Sequence, residues 1–211
     1  MSSDQTSQTK PYHHGDLRRT LIETALATLR EQQGWQFTLR EIARRAQVSH
    51  SAPYRHFPDK AALLYELALL GFERLGEAMR ASLRPAMSAP ERLQAMAYAY
   101  LAFGEENPDL YRLMFSTQAG DPAQIHVDPR AQAPFYQVIE VLERGQAEGT
   151  IRARSALGQA TASWAHLHGL TMLSIDSRLV PAKVGDHAIE DALTTLLDGL
   201  VRDPVARSPG A

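Results

Sequence analysis

Cysteine is absent from all 211 residues. That excludes a disulfide framework, a thiol nucleophile and any cysteine zinc site. Long apolar runs are absent too: none approaches the roughly 20 residues a membrane-crossing helix needs, so no membrane contact is expected. The first ten residues, MSSDQTSQTK, hold no apolar core, and no secretory leader is expected there. The expected location is the cytoplasm. No dinucleotide fingerprint, phosphate-cradling glycine loop or nucleophile elbow occurs. His13–His14 and His166/His168 are not at i, i+4 spacing, and no nearby carboxylate completes a ligand set. Neither a metal nor a cofactor is therefore expected. An enzyme is not expected either, except through a triad assembled only in space.

What is present is an ordinary globular share of apolar residues, 44%, and an uneven charge distribution. Residues 1–60 hold nine Lys and Arg against six Asp and Glu, and four of the eight His. The remainder holds 13 against 18. A basic head on an acidic body suits a head that meets a polyanion, although chance also produces a surplus this small.

Helical periodicity runs through nearly the whole chain, and no stretch alternates at period two, so the fold class is all-α. Residues 1–11 read as a flexible arm. Leu17, Leu21, Ala25 and Leu29 recur on one helical stripe, with Asp16 as expected N-cap and Gly34 as stop. Thr38-Leu39-Arg40-Glu41 is a capping box that opens a short helix ending near Gln47. Ser49 is a second expected N-cap, for two helical turns from His50 to Phe57. Asp59 is expected to cap a long helix from Ala61 to about Leu83. Further helices are expected over 91–106, 109–115, 131–147, 157–175 and 188–201, with residues 84–90 and 120–129 as loops.

Two short helices separated by a tight turn form a helix-turn-helix, whose second helix enters the major groove of DNA. Ala43 and Ala46 supply the small residues such a crossing needs, and Val48 plugs the corner. A plain corner between two packed helices has the same spacing, so the pattern alone leaves both open.

The run TLREIARRAQVSHSAPYRHFPDKAALL resembles the DNA-binding head of the TetR family of bacterial transcriptional regulators. Ile42-Ala43, Ala46, Val48-Ser49, Tyr54, His56-Phe57, Lys60 and Leu63-Leu64 carry the resemblance. Two positions depart from it: Gln47 stands where the turn usually has Gly, and Pro53 lies inside the second helix. The segment Trp164-Ala165-His166-Leu167-His168-Gly169-Leu170 is similar to the Trp…His-Gly signature of one class of TetR C-terminal ligand-binding domains, and Tyr12-His13-His14-Gly15-Asp16 to its lead-in.

The resemblance implies a three-helix DNA-binding head over 12–60 and a larger helical ligand-binding and dimerisation domain over 61–211. It also implies that Thr38, Tyr54, His56 and Lys60 hold phosphates, while Arg40, His50, Ser51 and Ala52 reach base edges. Ser49 either caps its helix or donates to phosphate. Arg44 and Arg45 fit contacts and a solvated face equally well, and Tyr54 and Phe57 are also candidates for the core. In the body, Tyr100, Phe103, Tyr111, Met114, Phe115, Phe135 and Trp164 are candidate walls of a ligand cavity, at spacings a packed core also shows. Trp164 and His168 share a helix face, one offering apolar surface and the other a polar handle; a satisfied structural histidine is the alternative for His168. Ile189, Leu193, Leu196, Leu197 and Leu200 form a seam suited to a homodimer interface or to the chain's own body. The expected function is a repressor that binds operator DNA as a homodimer and is released by a small apolar or amphipathic effector. A ligand-independent DNA-binding protein of the same fold, or a helical enzyme or carrier with a chance corner, are the alternatives.

Overall fold

The computed structural model describes residues 14–201; the arm expected over 1–11 and residues Tyr12 and His13 of the lead-in lie outside the described residues. The helices are α1 (His14–Glu31), α2 (Leu39–Arg45), α3 (Lys60–Ala81), α4 (Ala89–Glu106), α5 (Pro108–Met114), α6 (Pro122–Val127), α7 (Pro129–Ala147), α8 (Ala156–Ile175), α9 (Pro181–Val184) and α10 (Ala188–Leu200). Among the described residues, the extended pairing is confined to a single antiparallel bridge, Ile151–Val201. Beside it the Arg152 N–H donates to the Leu200 carbonyl at 2.9 Å, which ties the end of α10 to the turn before α8.

Side chains at the helix starts explain most of the boundaries. The Thr38 hydroxyl accepts from the Glu41 N–H, and the Asp59 carboxylate accepts from the Ala62 N–H at 2.8 Å. Ser88 and Glu91 form a reciprocal capping box, so α4 starts at Ala89 inside a segment expected to be loop. The box at Thr38 is only half made: Glu41 Oε1 instead accepts from Gln32 at 3.0 Å and Arg45 at 3.2 Å. Asp16 lies within the first turn of α1 rather than before it. Two short helices lie outside the expected set: α6 within the segment 120–129 expected as loop, and α9 between the helices expected over 157–175 and 188–201. Each has Pro at its first position, where the missing N–H costs nothing.

The second helix of the expected helix-turn-helix is the main local difference. Between Ser49 and Phe57 the chain makes a turn and one 3₁₀ turn, Pro53–Arg55, instead of two α-helical turns. Pro53 has no N–H to return to Ser49, and the segment closes with i→i−3 bonds, Ala52 to Ser49 at 2.9 Å and His56 to Pro53 at 2.9 Å. Ahead of it, Gln47 adopts a left-handed φ of 56°. The Val48 N–H reaches the Ala43 carbonyl and the Gln47 N–H the Arg44 carbonyl, completing a Schellman stop at about 1–2 kcal/mol of backbone strain for a residue other than glycine.

Head and body share one apolar core. Leu17, Leu21, Ala25 and Leu29 are buried as their spacing predicts, together with Phe37, Ile42 and Phe57. α3 continues this core into the body, where it packs against α4, α5 and α7; α4 and α7 in turn pack on α8. Arg18 of α1 pairs with Glu66 of α3 at 2.8 Å, and Arg130 of α7 reaches the same carboxylate at 3.2 Å. Burial alone would raise the Glu66 carboxyl, but hydrogen bonds and charge from Arg130 and Arg18 outweigh it and hold the group below its usual range.

Close helix approach requires glycine at position 104. A Cβ there would stand 2.1 Å from the Thr171 methyl on α8. Helix propensity alone would make Gly104→Ala stabilising by about 1 kcal/mol. The clash reverses that sign, and we expect a net loss of about 1–3 kcal/mol, read as a fall of several degrees in thermal midpoint. Adding Thr171→Ser, which removes the methyl and keeps the hydroxyl, should restore most of it; an unshifted single variant would contradict the packing.

Candidate functional site

Two arrangements stand out, one on the head and one inside the body. On the head, Thr38, Arg40, Ser49, His50, Ser51 and Tyr54 are exposed, with His56 and Lys60 half-buried beside them. Tyr54 is 50% exposed while Phe57 is 2% exposed, so of these two aromatics only Phe57 belongs to the core. Ala52 differs from expectation: it is 9% exposed and packs into the head core. It is thereby withdrawn from the outer surface. Ser49 does not cap a helix; its hydroxyl lies 3.3 Å from that of Ser51.

The basic side chains divide by what they touch. Arg45 is tied to Glu31 and Glu41, which makes it a strut within the head. The Lys60 ammonium sits 5.5 Å from the centre of the Phe37 ring, which orients it. Arg40, Arg44 and Arg55 are exposed. Arg55 was passed over in the sequence because the expected helix placed no emphasis on it. The His56 Nε2 atom is buried with no hydrogen-bond partner among the described residues.

The body holds a cavity of about 270 Å³, near the lower end of the range for small-molecule sites, about 300–1,000 Å³. Its walls come from α3 (Phe72, Leu75, Met79), α4 (Leu93, Met96, Tyr100), α7 (Gln132, Phe135), α8 (Ser163, Trp164, Leu167) and α10 (Leu196, Leu197, Leu200), with Phe115 and His126 between. Of the eight expected wall residues, Tyr100, Phe115, Phe135 and Trp164 line it. Phe103, Tyr111 and Met114 do not; they are buried in the packing behind the wall. Met114 lies under Gly71, whose missing Cβ leaves it room.

His168 also stands one row back, and it does so as part of a chain of hydrogen bonds. Its Nδ1 lies 2.8 Å from the Tyr111 hydroxyl, which lies 2.8 Å from the Tyr100 hydroxyl on the wall. Burial pushes the Tyr111 phenol up to about 12 and the Tyr100 phenol well above its ordinary range, so both stay protonated. Phe115 ties the rings together, 4.3 Å from His168 and stacked 5.7 Å from His126. His126 had no signal in the sequence, since it sits on the short helix α6 read there as loop.

Within the single chain the α10 seam packs on the body. Leu193 and Leu200 are buried against the same chain, Ile189 is partly buried on its core, and Leu196 and Leu197 line the cavity. α8 also carries outward apolar surface: it has no Asp, Glu, Lys or Arg and exposes Leu157, Trp164 and Leu173 at 60, 37 and 45%.

These features agree with known proteins. Residues 21–67 match the model of bacterial regulatory proteins of the tetR family, and residues 93–200 match a tetracyclin repressor-like C-terminal domain. A solved structure of a protein of unknown function from Rhodococcus sp. RHA1 is 34% identical, with 92% of this chain and 100% of that one covered and a TM-score of 0.77. A TetR-family structure from Vibrio parahaemolyticus shares the fold at 20% identity, covering 89% of this chain and 100% of its own, TM-score 0.67. The nucleoid occlusion factor SlmA of Marinomonas sp. is 31% identical over 112 residues, 52% of this chain and 57% of that protein. The chain therefore spans little more than half of that relative's length.

Acid should expose the buried imidazoles. Burial holds His126 below its ordinary 6.5; burial again, with repulsion from His126, does the same for His168. The unfolded chain then binds these protons at higher pH than the folded one. Stability is full above 6.5 and is lost as pH falls through the lowered folded values. We expect a thermal midpoint that is flat from about pH 8 to 7 and declines below 6.5, with His168→Gln reducing the decline. A flat profile down to about pH 5 would contradict the burial of these rings.

Proposed function

The chain belongs to the TetR family of bacterial regulatory proteins, and we propose that it is a repressor whose dimer leaves operator DNA when a small, mostly apolar effector enters the body cavity. Family members are DNA-binding regulators rather than enzymes and bind operators as dimers. The observation that carries the effector reading is the cavity itself, walled in part by the same helix that begins in the head. α3 starts at Lys60 beside the DNA-facing turn and reaches Phe72, Leu75 and Met79 on the cavity wall.

On the head, the exposed hydroxyls and cations support a division of labour. Thr38, Tyr54, His56 and Lys60 hold phosphates, with Ser49 able to join them, while Arg40, His50 and Ser51 address base edges. The head spans 12–60 and the effector and dimer domain 61–211, joined without a break through α3. An effector acts by linkage: one that fits the cavity better in the arrangement unable to span two half-sites shifts the dimer away from DNA. A second reading, DNA binding without an effector, draws support from the nucleoid occlusion factors among the relatives. The cavity favours the first.

The outward face of α8 supports the dimer contact. It is apolar and uncharged, and a two-fold packing of such faces would bury it. Leu173→Glu should yield monomers in gel filtration with a normal helical spectrum and little operator affinity, whereas Thr194→Glu on the polar side of α10 should leave the dimer intact. Dimers in the first variant would move the interface elsewhere.

Selection of bound sequences from random duplex DNA, repeated with a metabolite library, tests the function as a whole; no selected sequence would overturn it. Within that assay, Lys60→Ala should weaken all sequences alike and lower the salt slope by about one phosphate's worth. Arg40→Ala should relax preference at one base position, at about 1–3 kcal/mol. Identical behaviour of the two variants would refute the division.

A further inference from the structure

We propose that the effector is an uncharged, largely apolar molecule whose polar group is a hydroxyl read by Tyr100; this rests on the cavity being the effector site. Among the described residues, no Asp, Glu, Lys or Arg lines the cavity. A bound carboxylate or ammonium would exchange its hydration for phenyl, thioether and alkyl walls with no counter-charge, a transfer that strongly disfavours the ion. His126, the one imidazole on the wall, is held neutral by its own burial.

Two deeply buried polar groups stand on the wall, Tyr100 and Ser163, with the Trp164 indole beside Tyr100. Tyr100 is 5% exposed. His126 and Gln132 are half-buried, and the Ser163 hydroxyl already donates to the Gln159 carbonyl at 2.8 Å. The Tyr100 hydroxyl is the cavity-side end of the chain through Tyr111 to His168, and the Trp164 side chain also hydrogen-bonds it. Each phenol has one proton to give, so the three groups orient together. With the His168 proton on Nε2, Tyr111 donates to Nδ1 and Tyr100 donates to Tyr111, so the Tyr100 oxygen, which also receives the Trp164 N–H, keeps one lone pair as an acceptor. With the proton on Nδ1, every bond reverses and Tyr100 presents a donor. A ligand hydroxyl satisfies both orientations. A carbonyl satisfies only the second, and a lone N–H donor only the first. An alcohol or phenol therefore pairs whichever way the chain points, whereas a carbonyl or an N–H donor must first fix one tautomer of His168.

The test is a series on one ring system: naphthylmethanol, naphthoate, naphthylmethylammonium and naphthalene, titrated into the full-length protein near neutral pH by calorimetry and thermal shift, and then into its operator complex. Naphthylmethanol should bind at least about tenfold more tightly than either ion, raise the thermal midpoint and release the DNA. Tyr100→Phe should cost the alcohol about tenfold and leave naphthalene within about twofold, because only the alcohol loses a partner. Equal or tighter binding of an ion that also releases the operator would overturn the neutral-ligand assignment while the effector site stands. A Tyr100→Phe protein that binds the alcohol as well as wild type would overturn the role of Tyr100. Absence of binding and of any thermal shift across the whole series would overturn the effector site, and this proposal with it.

Discussion

Helix α3 buries ten of its residues, from Leu63 and Leu64 beside the head to Leu75 and Met79 against the cavity. At 1.5 Å per residue its 22 residues run about 33 Å, and its two ends are fixed by different parts of the molecule. Asp59 caps it within the head, and α4, α5 and α7 grip its body portion. A helix held on both flanks by close packing moves as a rigid element rather than bending to absorb a shift at one end. On the proposed reading, a change in the cavity that displaces Phe72 or Leu75 also moves the DNA-facing turn. The Arg18–Glu66–Arg130 ion chain adds a polar link between α1, α3 and α7 along the same route.

The cavity is shaped by a second constraint, the hydroxyl chain buried behind it. Tyr111 is fully buried, and its phenol is acceptable there only because Tyr100 and His168 both hydrogen-bond it. This arrangement positions the Tyr100 ring on the wall and keeps His168 out of the cavity. Phe115 packs on His168 and His126 together, so α5, α6 and α8 meet at one aromatic cluster. The result is a largely apolar space with Tyr100 as a defined polar point.

Much of this was legible in the sequence, for reasons that are local. Thr38 and Asp59 announced helix starts because a cap needs only a side-chain oxygen and an N–H a few residues on. Gln47 was read as the left-handed turn position, and the backbone adopts it. Leu17, Leu21, Ala25 and Leu29 gave the buried stripe of α1 directly. What the sequence left hidden depends on depth and direction. Periodicity showed that Tyr111, Met114 and His168 face inward, but it cannot say whether an inward residue meets a void or stands one layer behind it. For α10, the apolar stripe was plain, yet whether it faced this chain or another depended on how Ile151 and Val201 anchor the helix end. Pro53 was visible, but not its effect: without its N–H the segment closes as a 3₁₀ turn, with Ala52 buried just ahead of it.

The central claim is that occupancy of the cavity controls the grip on DNA. Its most direct test is operator affinity by fluorescence anisotropy for wild type and for Ala97→Phe, a substitution that fills the cavity from α4 without touching the head. A compound that releases wild type from the operator is titrated into both complexes. The account predicts that the filled variant folds, binds the operator, and is not released at any concentration that empties the wild-type complex. Release of both proteins at the same concentration would place control outside the cavity and contradict the account.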